Sequence, residues 1–273
     1  MFSIILFSIL IASLGWIGFY FDISSNNKDY SNGLGALLMI LSPLAIPVLF
    51  LIFKRIHFSL LGIQLNLKEN LKFYILSIFL FPTISVFIII LGYLTNSFTL
   101  EWKSMNSQFI FLIITTSLLK NIFEEIGWRG FLAPSLKLHL KNDYLIHLFT
   151  NLVWISWHLP YWFYFIPETE FSKFTTLTRI DFAICSSLSL LVGGIVYNEL
   201  RFITNSIFPS YILHVIHNIT TGILLSSGMI VYTPISEVIL GLNGILVTSV
   251  LFFMGIYLNV YRKKYMPNIN ATT

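Results

Sequence analysis

The sequence predicts an all-α fold, a polytopic transmembrane helical bundle of about eight spans with both termini in the cytoplasm. Hydrophobic residues make up 56% of the chain and charged residues only 10%, which leaves too little polar surface for a soluble domain. The apolar residues form runs of about twenty, the length that crosses a bilayer as a helix. The basic residues form short clusters at the ends of these runs, as topology signals do.

Eight apolar windows account for the predicted bundle, because a helix rises about 1.5 Å per residue and must cross about 30 Å of hydrocarbon. They cover residues 2–20, 34–53, 73–96, 109–131, 144–165, 182–200, 203–228 and 238–261. No Lys or Arg precedes the first window, whereas a secretory signal peptide has a basic start and a shorter apolar core. We therefore expect this window to be a membrane span, with a cleaved signal as the alternative.

The distribution of Lys and Arg predicts the orientation. Ten of these residues fall in loops on one side of the predicted bundle: Lys54, Arg55, Lys68, Lys72, Lys137, Lys141, Arg201, Arg262, Lys263 and Lys264. Four fall on the other side, namely Lys28, Lys103, Lys173 and Arg179, and Lys120 and Arg129 fall inside a span. Because basic loops stay in the cytoplasm, this imbalance predicts cytoplasmic termini and a multi-pass protein of the bacterial plasma membrane. The net charge of +4 therefore needs no nucleic-acid partner.

The stretch Glu124-Glu125-Ile126-Gly127-Trp128-Arg129 places three charges after a long apolar run. Each charge in the middle of a span costs about 2.5–3.5 kcal/mol on insertion scales, so these side chains need partners or a function. Glu125 and Arg129 are four residues apart and are predicted to form an ion pair on one helical face. Glu124 lies about 100° away around the helix and is therefore free for another role, such as catalysis. The alternative is a structural clamp in which both acids neutralise Arg129.

Two other predicted spans carry polar residues at helical spacing. His158 follows Trp154 by four residues, and Asn218 follows His214 by four, so each pair lies on one helical face. Glu124, His158 and His214 each lie 13 to 17 residues from the basic residue that marks the cytoplasmic end of the span, which is Lys137, Lys141 or Arg201. At about 1.5 Å per residue these depths agree, so the three side chains are expected to converge.

A carboxylate and two imidazoles in one buried chamber suit amide hydrolysis by either of two routes. In the first, Glu124 and His158 deprotonate a water, while His214 and Asn218 donate hydrogen bonds to the developing oxyanion. In the second, Glu124, His158 and His214 hold a Zn²⁺ ion that activates the water. The chain has no His-Glu-x-x-His motif, so it is not an ordinary zincin. We favour the route without a metal and therefore expect no cofactor. If the second route operates, the cofactor is Zn²⁺.

The three motifs together resemble the CPBP family of intramembrane proteases. They are Glu-Glu-x-x-x-Arg, aromatic-x-x-x-His and His-x-x-x-Asn, each on its own span. The family includes the type II CAAX prenyl endopeptidases, or ABI proteins, and bacterial relatives involved in bacteriocin self-immunity. The resemblance implies that Glu124, His158, His214 and Asn218 are catalytic and that Glu125 and Arg129 support them. The second motif usually begins with Phe in this family, and here the aromatic residue is Trp154.

The resemblance divides the chain into three parts. Residues 1–108 would hold the N-terminal transmembrane helices and an interfacial segment at 57–73. Residues 109–228 would form the CPBP-like catalytic core, and residues 229–273 the last transmembrane helix and a basic cytoplasmic tail. No repeat or linker separates these parts, so we expect a single folded unit.

The predicted function is that of an intramembrane endopeptidase, either glutamate-type or metal-dependent, that acts on a membrane-associated peptide or protein. One alternative is a non-proteolytic or weakly proteolytic protein of the same fold, acting in bacteriocin self-immunity or in regulation of a membrane sensor. A second alternative is a transporter that uses the buried acid and imidazoles as a proton relay. The single cysteine, Cys185, lies in an apolar segment and is predicted to be a small buried residue.

Overall fold

The computed structural model describes residues 1–24, 33–101, 106–226 and 229–266. The α-helices are α1 (Phe2–Ser24), α2 (Leu34–Ile52), α3 (Leu67–Leu94), α4 (Ser107–Glu125), α5 (Ala133–Lys137), α6 (Asp143–Pro160), α7 (Glu168–Phe174), α8 (Arg179–Thr204), α9 (Phe208–Thr221), α10 (Pro234–Leu240) and α11 (Ile245–Tyr265). A 3₁₀ turn covers Phe58–Leu61, and π-helical turns follow α4 at Ile126–Leu132, α6 at Tyr161–Phe165 and α9 at Gly222–Ser226. The fold is therefore helical, as predicted.

Each predicted span falls on a helix of the structure. Five segments of the described chain are long and apolar enough to cross a membrane: α1, α2, α3, α8 and the stretch Pro234–Tyr265. The remaining predicted spans coincide with α4, α6 and α9, each with its π-helical turn. Helix α4 carries three charged residues in its second half, and α9 has only 14 residues. The chain is a multi-pass membrane protein; the count of eight spans and the cytoplasmic termini stay predictions.

Helices α1 and α2 approach each other closely through two glycines. A Cβ on Gly35 would lie 2.0 Å from the carbonyl oxygen of Gly18, so the helices pack backbone to backbone at this point, as small residues allow in membrane bundles. The Asp22 carboxylate at the end of α1 accepts a hydrogen bond from the Gly35 N–H at 3.0 Å. This contact gives a hydrogen-bond acceptor to one of the free N–H groups in the first turn of α2.

The apolar side chains form two large clusters that meet at the candidate site. One cluster joins α1, α2, the π-helical turn after α4, and α6, with Phe7 and Trp157 among its buried members. The other joins α3, α8, α9 and α11, with Phe81 and Leu213 among its members. Trp154 of the first cluster packs against Tyr197 of the second, with ring centroids 5.7 Å apart. The polar residues of the three motifs lie around this contact.

Two short strands form the only sheet in the described chain. Strand β1 (Phe98–Leu100) follows α3, and β2 (Ile230–Tyr232) precedes α10. They pair antiparallel, with Thr99 opposite Val231, and tie two loops together. The sequence analysis did not predict them, because three-residue strands have no measurable periodicity. The predicted interfacial segment 57–73 also differs, since α3 already begins at Leu67.

Two basic residues that were counted as topology signals are buried instead of solvated. Arg262 donates to Glu199 from its Nε at 2.7 Å and forms an ion pair with Asp143 at 3.0 Å. Glu199 also contacts the His147 imidazole at 3.0 Å. Arg201 is likewise buried. Both arginines still lie at the basic end of the bundle, whereas Lys28 and Lys103 lie outside the described residues.

Candidate active site

The end of α4 supplies the acidic residues of the site. Glu124 and Glu125 are its last two residues and are fully buried, as is Arg129 in the π-helical turn that follows. Such turns are frequent at functional sites because they change the side-chain register of a helix locally. The Glu125 carboxylate accepts a hydrogen bond from Arg129 Nη1 at 3.1 Å. This is the ion pair that the spacing predicted.

The Glu124 carboxylate is held on one oxygen and open on the other. Its Oε2 accepts a hydrogen bond from the indole N–H of Trp154 at 2.9 Å and a longer one from that of Trp128 at 3.4 Å. Its Oε1 accepts no hydrogen bond from any residue that the structure describes. The nearest cation is the Lys120 ammonium, whose Nζ is 3.7 Å from Oε1. The carboxylate is therefore oriented with one oxygen left for another partner.

The two histidines of the motifs are oriented in the same way. His158 Nδ1 lies 3.0 Å from the carbonyl oxygen of Trp154, and His214 Nδ1 lies 2.9 Å from Oε1 of Glu125. Because both partners are acceptors, each Nδ1 carries a proton that it donates. In each neutral ring the Nε2 atom then has a free lone pair. Both side chains line the same cavity.

Trp154 is the centre of the site. Its ring centroid lies 5.8 Å from that of His158 and 5.5 Å from that of His214. The Arg129 guanidinium lies 4.2 Å from the same ring centroid, a cation–π distance. The N–H of the same indole donates to Glu124 Oε2 at 2.9 Å. The predicted carboxylate and imidazoles are therefore brought together around one indole.

Asn218 completes the predicted set. It lies one turn after His214 on α9, and its Nδ2 donates a hydrogen bond to Asn121 Oδ1 on α4 at 2.8 Å. An amide nitrogen has two hydrogens, so the second remains for a ligand. Asn218 and His214 both line the cavity. Asn121 thus positions the Asn218 amide and makes no hydrogen bond to either glutamate in the described structure.

The cavity has a volume of about 280 Å³, which is enough for a short stretch of peptide. Its polar wall includes Lys120, His158, His214, His217 and Asn218. Its apolar wall comes from the end of α6, α7, the start of α8 and the end of α9, with residues that include Trp162, Ile166, Phe174, Phe182 and Leu225. These helix ends lie opposite the end that carries Lys137, Lys141 and Arg201.

Three contributions to the site were not predicted from the sequence. The contact of Lys120 with Glu124 was not predicted, although Lys120 precedes Glu124 by four residues and shares its helical face. The N–H groups of Trp128 and Trp154 hold the Glu124 carboxylate, and only the first of these is signalled by spacing along a helix. His217 stacks on Phe81, with centroids 4.0 Å apart, and faces the cavity as well.

The described residues do not fit the Zn²⁺ route. No group of three or more His, Cys, Asp or Glu side chains among them is arranged to hold a metal ion. The Lys120 ammonium also lies 3.7 Å from the open oxygen of Glu124, and its positive charge would oppose a divalent cation at that oxygen. The arrangement fits a water molecule better, because Glu124 Oε1 and the Nε2 atom of a neutral His158 are hydrogen-bond acceptors.

A comparison with protein-family models identifies part of the chain. Residues 106–220 match the family model described as Rce1-like, type II CAAX prenyl endopeptidase. This segment runs from the start of α4 nearly to the end of α9 and contains all three motifs. A search of curated proteins finds no significant match to the chain. The matched segment carries the three motifs in order, each on a separate helix, and is therefore similar to the CPBP/CAAX protease family.

Proposed function

We propose that this protein is an intramembrane endopeptidase in which Glu124 activates the water that hydrolyses a peptide bond. The match of residues 106–220 to the Rce1-like family model supports the reaction class. The observation that carries the proposal is the Glu124 carboxylate itself, held through Oε2 by Trp154 and open at Oε1. A buried carboxylate with no function would be costly unless it were fully paired.

The proposed reaction uses side chains of this chain alone. Glu124 Oε1 accepts a proton from the water as the water oxygen attacks the carbonyl carbon, and His158 Nε2 orients the water as a second acceptor. The carbonyl oxygen becomes an oxyanion. When the carbon–nitrogen bond breaks, the protonated Glu124 returns its proton to the departing amine. One water is consumed, and the products are a carboxyl and an amino terminus.

Two donors face the position of the oxyanion in this scheme. Asn218 offers the Nδ2 hydrogen that Asn121 does not accept. His214 donates from Nε2 when both its nitrogens carry protons, with Nδ1 then donating to the Glu125 carboxylate. Preorganised donors of this kind contribute about 2.7–4 kcal/mol each to transition-state stabilisation.

We also propose that the substrate enters from the side of the membrane opposite the cytoplasm. The cavity is lined by helix ends that lie away from the basic clusters. Acidic residues such as Glu168, Glu170 and Asp181 lie at this end of the bundle. If basic loops face the cytoplasm, the cavity opens outward, and a prenylated cytoplasmic tail is not required for cleavage.

A cleavage assay with Glu124→Gln tests the proposed reaction. Amide replaces carboxylate at nearly the same size, so the variant loses the base and keeps the fold. In proteoliposomes given a mixed library of fluorogenic peptides, we expect the wild type to cleave and Glu124→Gln to fall below about 1% of its rate. Glu69→Gln, an exposed change in the first turn of α3, is the matched control and should retain full activity. Cleavage by Glu124→Gln at more than a tenth of the wild-type rate would contradict the proposal.

The rival function is a binding role, in self-immunity against a bacteriocin or in regulation of a membrane sensor. The contact of Lys120 with Glu124 favours it, because a buried carboxylate beside a cation can have a structural role instead of a catalytic one. Complementation separates the two functions. Full biological activity of Glu124→Gln in cells would establish the binding role, and loss of activity with normal expression supports hydrolysis.

A further inference from the structure

A second cavity lies at the basic end of the bundle, away from the candidate active site. Its volume is about 500 Å³, and it lies between the start of α1, the segment 55–60, α5 and the end of α8. Three cationic side chains, Arg55, Lys137 and Arg201, line it together with His57 and His139. No aspartate or glutamate is among its lining residues. Such a concentration of positive charge attracts an anion.

Arg201 is the most deeply placed of these side chains, at 4% exposure. Its guanidinium donates to the backbone carbonyl oxygens of Arg129 and Leu60, both at 2.9 Å, and to Asn205 Oδ1 at 2.8 Å. All three acceptors are neutral, so these contacts orient the guanidinium without balancing its charge. A buried cation without a counter-ion is costly.

The backbone leaves space for this guanidinium. Gly62 has a left-handed φ of +64°, and a Cβ at that position would lie 2.6 Å from the Arg201 guanidinium carbon. Glycine therefore satisfies both the dihedral angle and the close approach. The backbone conformation at Gly62 therefore accommodates the Arg201 charge at this position.

Lys137 adds a second cation without an acidic partner in the described structure. Its Nζ lies 4.2 Å from the centroid of the Phe202 ring. Burial, with the nearby Arg262 guanidinium, lowers the pKa of the Lys137 ammonium to about 8. An anion in the cavity would raise this pKa again by direct attraction.

The surroundings of the cavity are lipid-facing. On α1, Phe2, Ile5 and Ile9 are 70%, 53% and 58% exposed, next to the cavity residues Ser3 and Ile4. Leu138 on the cavity wall is also half exposed. A ligand whose charged group lies in the cavity can therefore place its hydrocarbon chains against the first turns of α1.

We propose that this cavity binds the phosphate-bearing headgroup of an anionic phospholipid, with its acyl chains against α1. Arginine and lysine recognise phosphate oxygens through charge-assisted hydrogen bonds. Basic cavities between transmembrane helices on the cytoplasmic side are suited to such headgroups. This site is separate from the candidate active site and does not depend on the proposed reaction.

The test is lipid binding by the full-length protein purified in dodecyl maltoside. Native mass spectrometry and the thermal unfolding midpoint are measured with dioleoylphosphatidylglycerol, dioleoylphosphatidylcholine and inorganic phosphate. We expect phosphatidylglycerol to bind at least tenfold more tightly than phosphatidylcholine and to raise the unfolding midpoint. We expect Arg55→Gln with Lys137→Gln to weaken phosphatidylglycerol binding at least fivefold. Neither residue belongs to the candidate active site.

The matched control is Lys54→Gln with Lys141→Gln, which removes the same charge from exposed positions that do not line the cavity. It should bind phosphatidylglycerol within twofold of the wild type. Equal loss in both double variants, or equal binding of the two lipids by the wild type, would overturn the proposal. Inorganic phosphate that stabilises as much as phosphatidylglycerol would assign the site to a soluble anion and overturn the lipid. If the double variant loses helicity by circular dichroism, the exposed Arg55→Gln alone serves in its place.

Discussion

The Trp154 side chain shows how one residue can add chemistry to a shared motif. Family members usually have Phe at this position, which supplies a ring but no donor. Here the indole N–H donates to Glu124 Oε2 at 2.9 Å while the ring packs against both imidazoles. The substitution therefore orients the carboxylate of this chain more firmly than ring packing alone would.

We predict that Trp154→Phe lowers kcat about tenfold or more and leaves KM within about twofold. The change keeps the aromatic packing and removes one hydrogen bond to a charged group, which is worth about 1.5–3 kcal/mol. Steady-state kinetics on a cleaved peptide measure the effect. Trp157→Phe is the matched control, since its N–H donates to the Met39 carbonyl oxygen instead. Unchanged kcat in Trp154→Phe would show that the hydrogen bond has no part in the reaction.

Lys120 affects the same carboxylate from the other side. Its ammonium lies 3.7 Å from Glu124 Oε1 and 4.9 Å from the centroid of the Tyr161 ring. We predict that Lys120→Met reduces cleavage at least tenfold, because the buried Glu124 carboxylate is left without its neighbouring cation. Lys120→Arg retains the charge and should keep most of the activity. The relative rates of the two variants at neutral pH decide the point, and equal loss in both would indicate packing instead of charge.

At the residue level, helical spacing predicted what lies on one helix and missed what lies between helices. The Glu125–Arg129 pair followed from a separation of four residues, and the structure confirms it. The hydrogen bond from Trp154 to Glu124 joins α6 to α4. No spacing within α6 indicates which acid on another helix receives that N–H, so this contact needed the fold.

At the scale of elements, a buried ion network joins α6, α8 and α11 at the basic end. Glu199 of α8 accepts hydrogen bonds from Arg262 and Asn259 of α11 and contacts His147 of α6. The sequence analysis treated Arg262 as part of a solvated basic tail, because Lys263 and Lys264 follow it. Its burial depends on an acid that lies 63 residues earlier in the chain, which a local pattern does not reveal.

We predict that Glu199→Gln destabilises the fold by about 3–5 kcal/mol, because it leaves the Arg262 charge buried and undercompensated. The unfolding midpoint in detergent should fall clearly below that of the wild type. Glu168→Gln removes an acid that pairs with Arg179 at 2.8 Å but is largely exposed. Exposed pairs contribute about 0–1 kcal/mol, so this control should change the midpoint little. Equal midpoints for wild type and Glu199→Gln would refute the structural role of the network.

At the scale of the whole molecule, the basic clusters and the candidate active site occupy opposite ends of the bundle. The sequence predicted helices, their approximate bounds and the convergence of Glu124, His158 and His214 at similar depth. It could not indicate where the cavity opens, because that depends on how the ends of α6, α8 and α9 pack. The motifs had already suggested the site. The fold adds the end of the bundle from which a substrate reaches it.

Cysteine labelling tests that direction. In a Cys185→Ser background, we predict that a membrane-impermeant maleimide labels Ser172→Cys on α7 in intact bacterial cells. Lys141→Cys, an exposed position at the basic end, should be labelled only after the cells are permeabilised. The difference follows from the placement of basic loops in the cytoplasm. The reverse pattern would turn the cavity towards the cytoplasm and remove the argument against a prenylated substrate.

The most direct test of the account is peptide cleavage in water enriched in oxygen-18, followed by mass spectrometry of the products. If Glu124 directs a water molecule to the scissile carbonyl, the wild type will place one solvent oxygen in each new carboxyl terminus. The Glu124→Gln protein, reconstituted in equal amount and with unchanged helicity, will give no labelled product above background. Labelled product from Glu124→Gln at the wild-type rate would contradict the assignment of the base.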